Sequence, residues 1–282
     1  MISKKLFDRL ERDFELDKCS DDWQYMDFNE YISKNFKERY MGVVLDNNEE
    51  INHVYTAVFP SDHVLNMLLN SGMENILLFT HHPMNWDIRN ADKVFSDINP
   101  ALLPELKKKG ISLYNLHVPL DKNGKYSTSL NLARKLEIEI EDEFFEYHGV
   151  KVGVYGKTSL KGPDELADKL SIIVGHKTKL WKYGSDLIKN HRVAVVGGGG
   201  NDPDVVRDVH ELGINTLVTG VTVLNDFSRP VHEFEKEKKI NLIGGTHYST
   251  EKFACIAMCD YFKHLGLPCE FIEDTPILED ME

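Results

Sequence analysis

The sequence lacks several features that would assign it to familiar protein classes. Only four cysteines occur among 282 residues and none forms a Cys-x-x-Cys pair, so Cys255 and Cys259 are interpreted as small core residues of a helix. No apolar run approaches the roughly 18 residues that a membrane-spanning helix needs. Residues 1–15 are charged throughout and have no long apolar core, which predicts no signal peptide and a cytoplasmic location.

Basic residues are also scarce. The chain has 33 Lys and Arg against 46 Asp and Glu, a formal net charge of -13. Proteins that bind nucleic acid through phosphate contacts need a basic surface, so this class is disfavoured. A nucleotide held through a metal ion remains compatible with the charge. The shares of hydrophobic residues (41%) and charged residues (28%) are those of an ordinary globular protein.

Common catalytic motifs are incomplete or missing. Gly156-Lys157-Thr158 resembles the end of a P-loop, but Lys151 stands where the first glycine belongs. No serine has the setting of a nucleophile elbow. The run Gly197–Gly200 follows a predicted strand and precedes a predicted helix. It is interpreted as a close turn between these elements, with phosphate binding at the helix start as the alternative.

Residues of metal-ligand type follow three apolar runs that predict buried strands. The runs and the residues that follow them are Ile76–Phe79 with His81 and His82, Ile111–Leu116 with His117 and Asp121, and Ile240–Gly244 with His247 and Glu251. Sites in open α/β sheets lie at the carboxyl ends of the strands. The three repeated contexts therefore predict one metal site at such an edge.

The predicted ligands combine imidazole with carboxylate, a set that suits zinc, manganese, iron or nickel without selecting one. Two carboxylates, Asp121 and Glu251, are available to bridge a pair of ions. Taken alone, His117 would be an ordinary hydrogen-bonded core histidine and Glu251 a favourable acid in the first turn of its helix. The other histidines lack the repeated context and are interpreted as surface or core residues: His53, His63, His148, His176, His191, His210, His232 and His264.

The alternation of helix and strand predicts an α/β fold with a parallel sheet. Residues 1–136 together with 239–282 are predicted to form a metal-binding lobe, and residues 137–238 an inserted second α/β lobe. The acidic stretch 137–146 is interpreted as a solvated connection into the second lobe. A helix is expected from residue 27 to residue 37.

Three motifs carry a resemblance to a known family: Phe79-Thr-His-His-Pro, Leu116-His-Val-Pro-Leu-Asp121 and Gly245-Thr-His-Tyr-Ser-Thr-Glu251. In this order they resemble the signature of the NIF-three-like family, also called dinuclear metal centre proteins or GTP cyclohydrolase I type 2 homologues. The resemblance implies a two-lobed α/β fold with mixed, mostly parallel sheets, and a homohexamer. It also implies two divalent metal ions bound by His81, His82, Asp121, His247 and Glu251, with His117 a ligand or a close neighbour.

Two segments depart from the family pattern. Tyr40-Met-Gly-Val-Val-Leu45 stands where relatives often have Asp-Asn-x-Gly-Leu, and Val118-Pro119 replaces a frequent Thr-Asn pair. The leading hypothesis is a metal-dependent hydrolase of a nucleotide or phosphoester, with Glu251 as the bridging ligand at its catalytic centre. The alternative is a non-enzymatic metal-binding or regulatory assembly, favoured by the lack of an evident general base outside the ligands.

Overall fold

A computed structural model describes residues 1–90 and 93–282. The chain divides into two compact units. The first comprises residues 1–120 and 255–274, and the second comprises residues 121–254 and 275–282. Among the residues that the structure describes, no helix has the length and apolar composition needed to cross a membrane.

A five-stranded sheet forms the centre of the first unit. With strands numbered along the whole chain, its members and a small two-stranded ribbon are β1 (Gly42–Leu45), β2 (His53–Ala57), β3 (Ile76–Thr80), β4 (Asn85–Trp86), β5 (Phe95–Ser96), β6 (Ile111–Asn115) and β13 (Cys269–Phe271). The sheet order is β1-β6-β3-β2-β13, and β4 pairs with β5. Only β1 runs antiparallel to its neighbour, so β6, β3, β2 and β13 are parallel. β3 and β6 are buried along their full length, as continuous apolar strands of a parallel sheet should be.

Short helices pack against this sheet. Their bounds are α1 (Ser3–Asp13), α2 (Lys34–Arg39), α3 (Asp62–Asn70), α4 (Leu103–Lys108) and α5 (Val118–Asp121), with one-turn 3-10 helix Leu16–Lys18. Ser61 caps α3 by accepting a hydrogen bond from the backbone of Val64. One face of α3 then buries Val64, Leu65 and Leu68 in the core.

The second unit contains a six-stranded mixed sheet. Its strands are β7 (Glu139–Tyr147), β8 (Val150–Lys157), β9 (Lys179–Trp181), β10 (Arg192–Val195), β11 (Thr216–Thr219) and β12 (Asn241–Gly244). The order is β7-β8-β10-β11-β12-β9. The central strands β10, β11 and β12 are parallel, and the flanking strands are antiparallel to them or to each other. The carboxyl ends of the three central strands therefore meet at one edge.

Helices cover both faces of the second sheet. They are α6 (Thr128–Lys135), α7 (Pro163–Val174), α8 (Pro203–Glu211), α9 (Arg229–Lys238) and α10 (His247–His264), with 3-10 turns at Lys189–His191 and Leu278–Met281. Successive strand residues point to opposite faces, so Val193 and Val195 pack with α6 and α7 while Ala194 and Val196 pack with α8 and α9. The boundary between the two units falls within α10.

The predicted α/β fold is confirmed, and so are the strands that precede the candidate ligands. Two predictions were wrong. Residues 139–147 form the edge strand β7 rather than a solvated connection. Pairing with β8 stabilises this strand, although Phe144 is its only fully buried side chain. The helix expected over 27–37 is confined to α2, beginning after the N-cap Ser33.

The unit boundaries also differ from the predicted lobes. Residues 121–136, 239–254 and 275–282 were assigned to the metal-binding lobe, but they pack within the second unit. α6 contributes Leu132 and Leu136 to the core that contains Val193 and Val195 of β10. β12 pairs with β11 and cannot be separated from that sheet. Cys255 and Cys259 are buried on α10, as predicted.

Neighbouring residues of α3 offer a test of the first unit's core. Leu68 is 1% exposed and Met67 is 49% exposed. We expect Leu68→Ala to lower the free energy of unfolding by about 2–5 kcal/mol, because it leaves a cavity in a packed core. Met67→Ala should stay within about 0.5 kcal/mol of the wild type. Urea unfolding followed by circular dichroism measures both; equal effects would contradict the described packing.

Candidate metal centre

Three histidines gather at one edge of the sheet in the first unit. His81 and His82 follow β3, and His117 lies two residues beyond β6. Each offers one ring nitrogen, and these nitrogens lie within 4.8 Å of one another. The ring centroids are 4.4 Å apart for His81 and His82, and 4.8 Å apart for His82 and His117. The two adjacent histidines thus converge despite the alternation expected along a strand.

Hydrogen bonds select the nitrogen that each of two imidazoles can offer to a metal. Nδ1 of His81 lies 2.9 Å from the carbonyl oxygen of Leu116, so Nδ1–H donates and Nε2 carries the lone pair. Nδ1 of His117 lies 3.1 Å from both carboxylate oxygens of Asp21. His117 therefore also offers Nε2. A histidine oriented in this way by a carbonyl or carboxylate is the usual form of a metal-bound histidine.

The buried carboxylate of Asp21 was not found by sequence reasoning. Its burial raises the pKa of the carboxyl group, but the charge and hydrogen bond of His117 outweigh burial and hold the net pKa below its usual value. Asp21 is therefore an anion beside the imidazole. It lies 96 positions from His117 in the sequence, and no local sequence pattern predicts that the two side chains are paired.

Aromatic rings surround the histidines. Phe59 stacks on His82 with ring centroids 4.7 Å apart and an interplanar angle of 19°. The indole of Trp23 meets His117 edge-on at 5.0 Å. These rings restrict the rotation of the imidazoles and keep water from them, which strengthens electrostatic interactions at this edge.

The second unit holds another group of ligand-type residues. His247 is the first residue of α10 and Glu251 lies one turn later, so both project from the same face. Nε2 of His247 and Oε1 of Glu251 are 3.2 Å apart, and both side chains are about 5% exposed. A carboxylate oxygen of Asp121 lies within 4.8 Å of one from Glu251. Asp121 is held by Thr128, whose hydroxyl donates to Oδ1 at 2.7 Å.

The start of α10 is fixed by a residue that sequence reasoning also missed. Oδ2 of Asp280 accepts a hydrogen bond from the backbone N–H of His247 at 2.8 Å. The backbone carbonyl of Asp280 accepts from Thr222 and Val223 at 2.7 and 2.8 Å. A carboxylate at a helix N-terminus satisfies free N–H groups and interacts favourably with the helix dipole. The segment around Asp280 thereby sets where the ligand helix begins.

The glycine run after β10 packs against the ligand pair. Gly198 has a φ of +68°, and a β-carbon there would collide with Oε1 of Glu251 and lie 3.1 Å from Nε2 of His247. The hydroxyl of Thr250 accepts from the backbone N–H of Gly198 at 3.0 Å. Glycine is therefore required by both backbone conformation and space. The close-turn interpretation agrees with this geometry, and Asp202 caps the following helix α8.

The structure thus brings the predicted residues together in two groups, one in each unit: His81, His82 and His117, and Asp121, His247 and Glu251. Imidazole nitrogens and carboxylate oxygens are suitable ligands for divalent transition metals. The donor set therefore fits such ions. Their number, their identity and the role of each ligand stay predictions at this point.

Comparison with known proteins gives the same family as the motifs. Residues 27–276 match the family model described as Duf34/NIF3 (NGG1p interacting factor 3). A protein of Pyrococcus horikoshii named GTP cyclohydrolase 1 type 2 homolog is 28% identical over 240 residues, covering 83% of this chain and 88% of that protein. One of the same name from Deinococcus radiodurans is 26% identical over 238 residues, covering 82% and 83%.

Solved structures show the same fold. The protein ybgI, described as of unknown function, superposes with a TM-score of 0.77 at 20% identity, covering 98% of this chain and all of that one. A Bacillus cereus protein related to NIF3 has a TM-score of 0.69 at 12% identity and covers 98% of each chain. The chain belongs to the Duf34/NIF3 family.

Gly198 and Gly199 provide a matched pair for testing the glycine run. We expect Gly198→Ala to cost about 1–2 kcal/mol in backbone strain alone and to displace the Glu251 carboxylate, so metal content should fall. A β-carbon at Gly199 meets nothing within 4 Å, so Gly199→Ala should keep wild-type metal content. Elemental mass spectrometry of both purified variants measures the difference. Equal metal content in the two would contradict the proposed space requirement.

Asp21→Asn tests the orientation of His117. The amide is isosteric but uncharged, so we expect zinc affinity to fall by about 10–100-fold, the usual cost of losing such a partner. Asp22→Asn is the control, because its exposed carboxylate accepts hydrogen bonds from Gln24 instead of holding His117. Competition with a chromophoric chelator measures the affinity. An unchanged affinity in Asp21→Asn would remove this residue from the site.

Proposed function

We propose that the protein is a hydrolase that depends on two divalent metal ions. The proposed ligands are the two groups described above, with Glu251 as the ligand shared by both ions. The observation that carries the proposal is that all six residues predicted from the motifs lie in clusters of ligand-type side chains. The family membership and the names of the relatives support the same assignment.

Neighbouring residues of the chain hold the proposed metal ligands in position. Leu116 and Asp21 hold His81 and His117 with Nε2 available. Thr128 holds Asp121, and the start of α10 places His247 and Glu251 on one face. Two ions bound there would provide an activated water and neutralise the charge that develops on the bond under attack.

The proposed substrate is a nucleotide or another phosphoester. The net charge of -13 would repel an anionic substrate from most of the surface, whereas bound divalent ions supply a local positive charge. Val118 and Pro119, both buried, bring no side-chain hydrogen-bonding groups to the segment between His117 and Asp121. Selection of the substrate would therefore depend on contacts with the metals and on other segments.

The homohexamer implied by the resemblance and a cytoplasmic location belong to the same proposal.

The central experiment compares wild type with Glu251→Gln. We expect the substitution to reduce the metal content by about two ions per chain and to abolish turnover of phosphoesters and nucleotides, because a bridging carboxylate is lost. Asp260→Asn, an exposed position on the same helix, is the control. Elemental mass spectrometry gives the metal content, and a substrate screen with metal-loaded protein gives turnover.

Two results would count against the proposal. A wild-type protein that stays metal-free after dialysis against zinc, manganese, iron and nickel would refute the metal centre. Tightly bound metal without turnover of any phosphoester or nucleotide would refute the hydrolase and favour the alternative, a non-enzymatic metal-binding or regulatory assembly.

A further inference from the structure

A second group of polar side chains lies in the second unit, separate from the six proposed ligands. We call His232, Glu235 and Tyr183 the α9 cluster, since the first two lie on α9 and the third lies two residues beyond β9. The side chain of Asn201 and the backbone of Thr222, which follow the central strands β10 and β11, lie next to His232. The cluster therefore lies near the carboxyl ends of parallel strands, where α/β sheets commonly bind ligands.

His232 and Glu235 form a His-x-x-Glu pair one turn apart on a single helix face. Nδ1 of His232 is 3.5 Å from Oε2 of Glu235, and both side chains are completely buried. Two ligands of one zinc ion, each about 2.0–2.1 Å from the metal in tetrahedral geometry, are separated by about 3.3–3.4 Å. The observed separation is therefore close to that required for joint coordination.

Both ring nitrogens of His232 have polar neighbours. Nε2 lies 3.4 Å from both the carbonyl oxygen of Val223 and Nδ2 of Asn201. The tautomer that suits a metal is the one in which Nε2–H donates to the carbonyl. Nδ1 then carries the lone pair, and the hydroxyl of Tyr183 donates to it at 2.9 Å. A histidine that donates one ring N–H to a backbone carbonyl and offers the other nitrogen has the arrangement of a metal ligand. Tyr183 adds an oxygen atom beside the same nitrogen.

The Glu235 carboxyl is buried without hydrogen bonds. Within residues 1–90 and 93–282, neither of its oxygens has a hydrogen-bond partner, and the same holds for Oδ1 of Asn201 and Oγ1 of Thr222. A buried carboxyl group whose oxygens have no hydrogen-bond partner costs free energy, and native structures rarely keep one unless an ion or water satisfies it. A cation bound by the carboxylate would remove this cost.

We propose that the α9 cluster is a binding site for one divalent transition metal ion of the zinc class, distinct from the two proposed above. His232 Nδ1 and Glu235 Oε2 are its principal ligands, and the neutral hydroxyl of Tyr183 turns its proton away from Nδ1 and places Oη beside the ion. Trp181 and Tyr183 are only partly buried, so the ion reaches the cluster from the surface beside them. Once bound, it links α9 to the segment after β9 and stabilises the second unit.

The test uses the full chain with the first centre disabled. In a His82→Asn, His247→Asn, Glu251→Gln background, dialysed against zinc, we expect about one ion per chain, bound by the α9 cluster. Adding Glu235→Gln or His232→Gln should remove it. Adding Glu233→Gln, an exposed neighbour on the same helix, should leave it in place. Elemental mass spectrometry counts the ions.

The melting temperature is a second measurement, and it shows whether a variant that binds no zinc is still folded. Zinc should raise the melting temperature of the background protein and leave that of its Glu235→Gln derivative unchanged. Tyr183→Phe, which keeps the ring, should retain the fold but weaken the visible absorption of bound Co²⁺. A background protein that holds no zinc would overturn the proposal, as would zinc content or melting temperature unaffected by Glu235→Gln.

Discussion

The parallel pairing of β3 with β6 is the constraint on which the histidine cluster depends. The register runs from Ile76 opposite Ile111 to Thr80 opposite Asn115, so both strands end at the same edge. A shift of one residue would turn every side chain of a strand to the other face. The fully buried side chains of both strands prevent such a shift. Packing of the core thus determines how closely the three imidazoles approach one another.

The elements that the sequence predicted well are those with a strong local signal. Short apolar runs predicted β3, β6 and β12, and Ser61 predicted the start of α3. β7 was not predicted because five of its nine residues are acidic and its stability comes from pairing with β8. Residues 27–32 lack helical structure although Phe28 and Ile32 pack into the core, so tertiary packing prevailed over local preference there.

The same distinction holds for the candidate sites. The six proposed ligands could be chosen from sequence because each follows an apolar run within a few residues. The groups that orient them could not, because they come from distant segments or from the backbone, as with Leu116 for His81. His232 was interpreted as a surface or core residue. Its relation to Tyr183 depends on how a strand and a helix far apart in the chain come together.

The positions of Asp21 and Asp280 have a consequence for how this family is compared. The family model matches residues 27–276, so all six proposed ligands fall inside it while both carboxylates fall outside. Asp21 orients His117 and Asp280 fixes the start of the helix that carries His247 and Glu251. A fragment limited to residues 27–276 would keep all six proposed ligands but lose the two carboxylates that orient His117 and the start of α10. Motif-based comparison would classify such a fragment as intact, although the imidazole of His117 would no longer be held by a carboxylate and the first turn of α10 would lose its own.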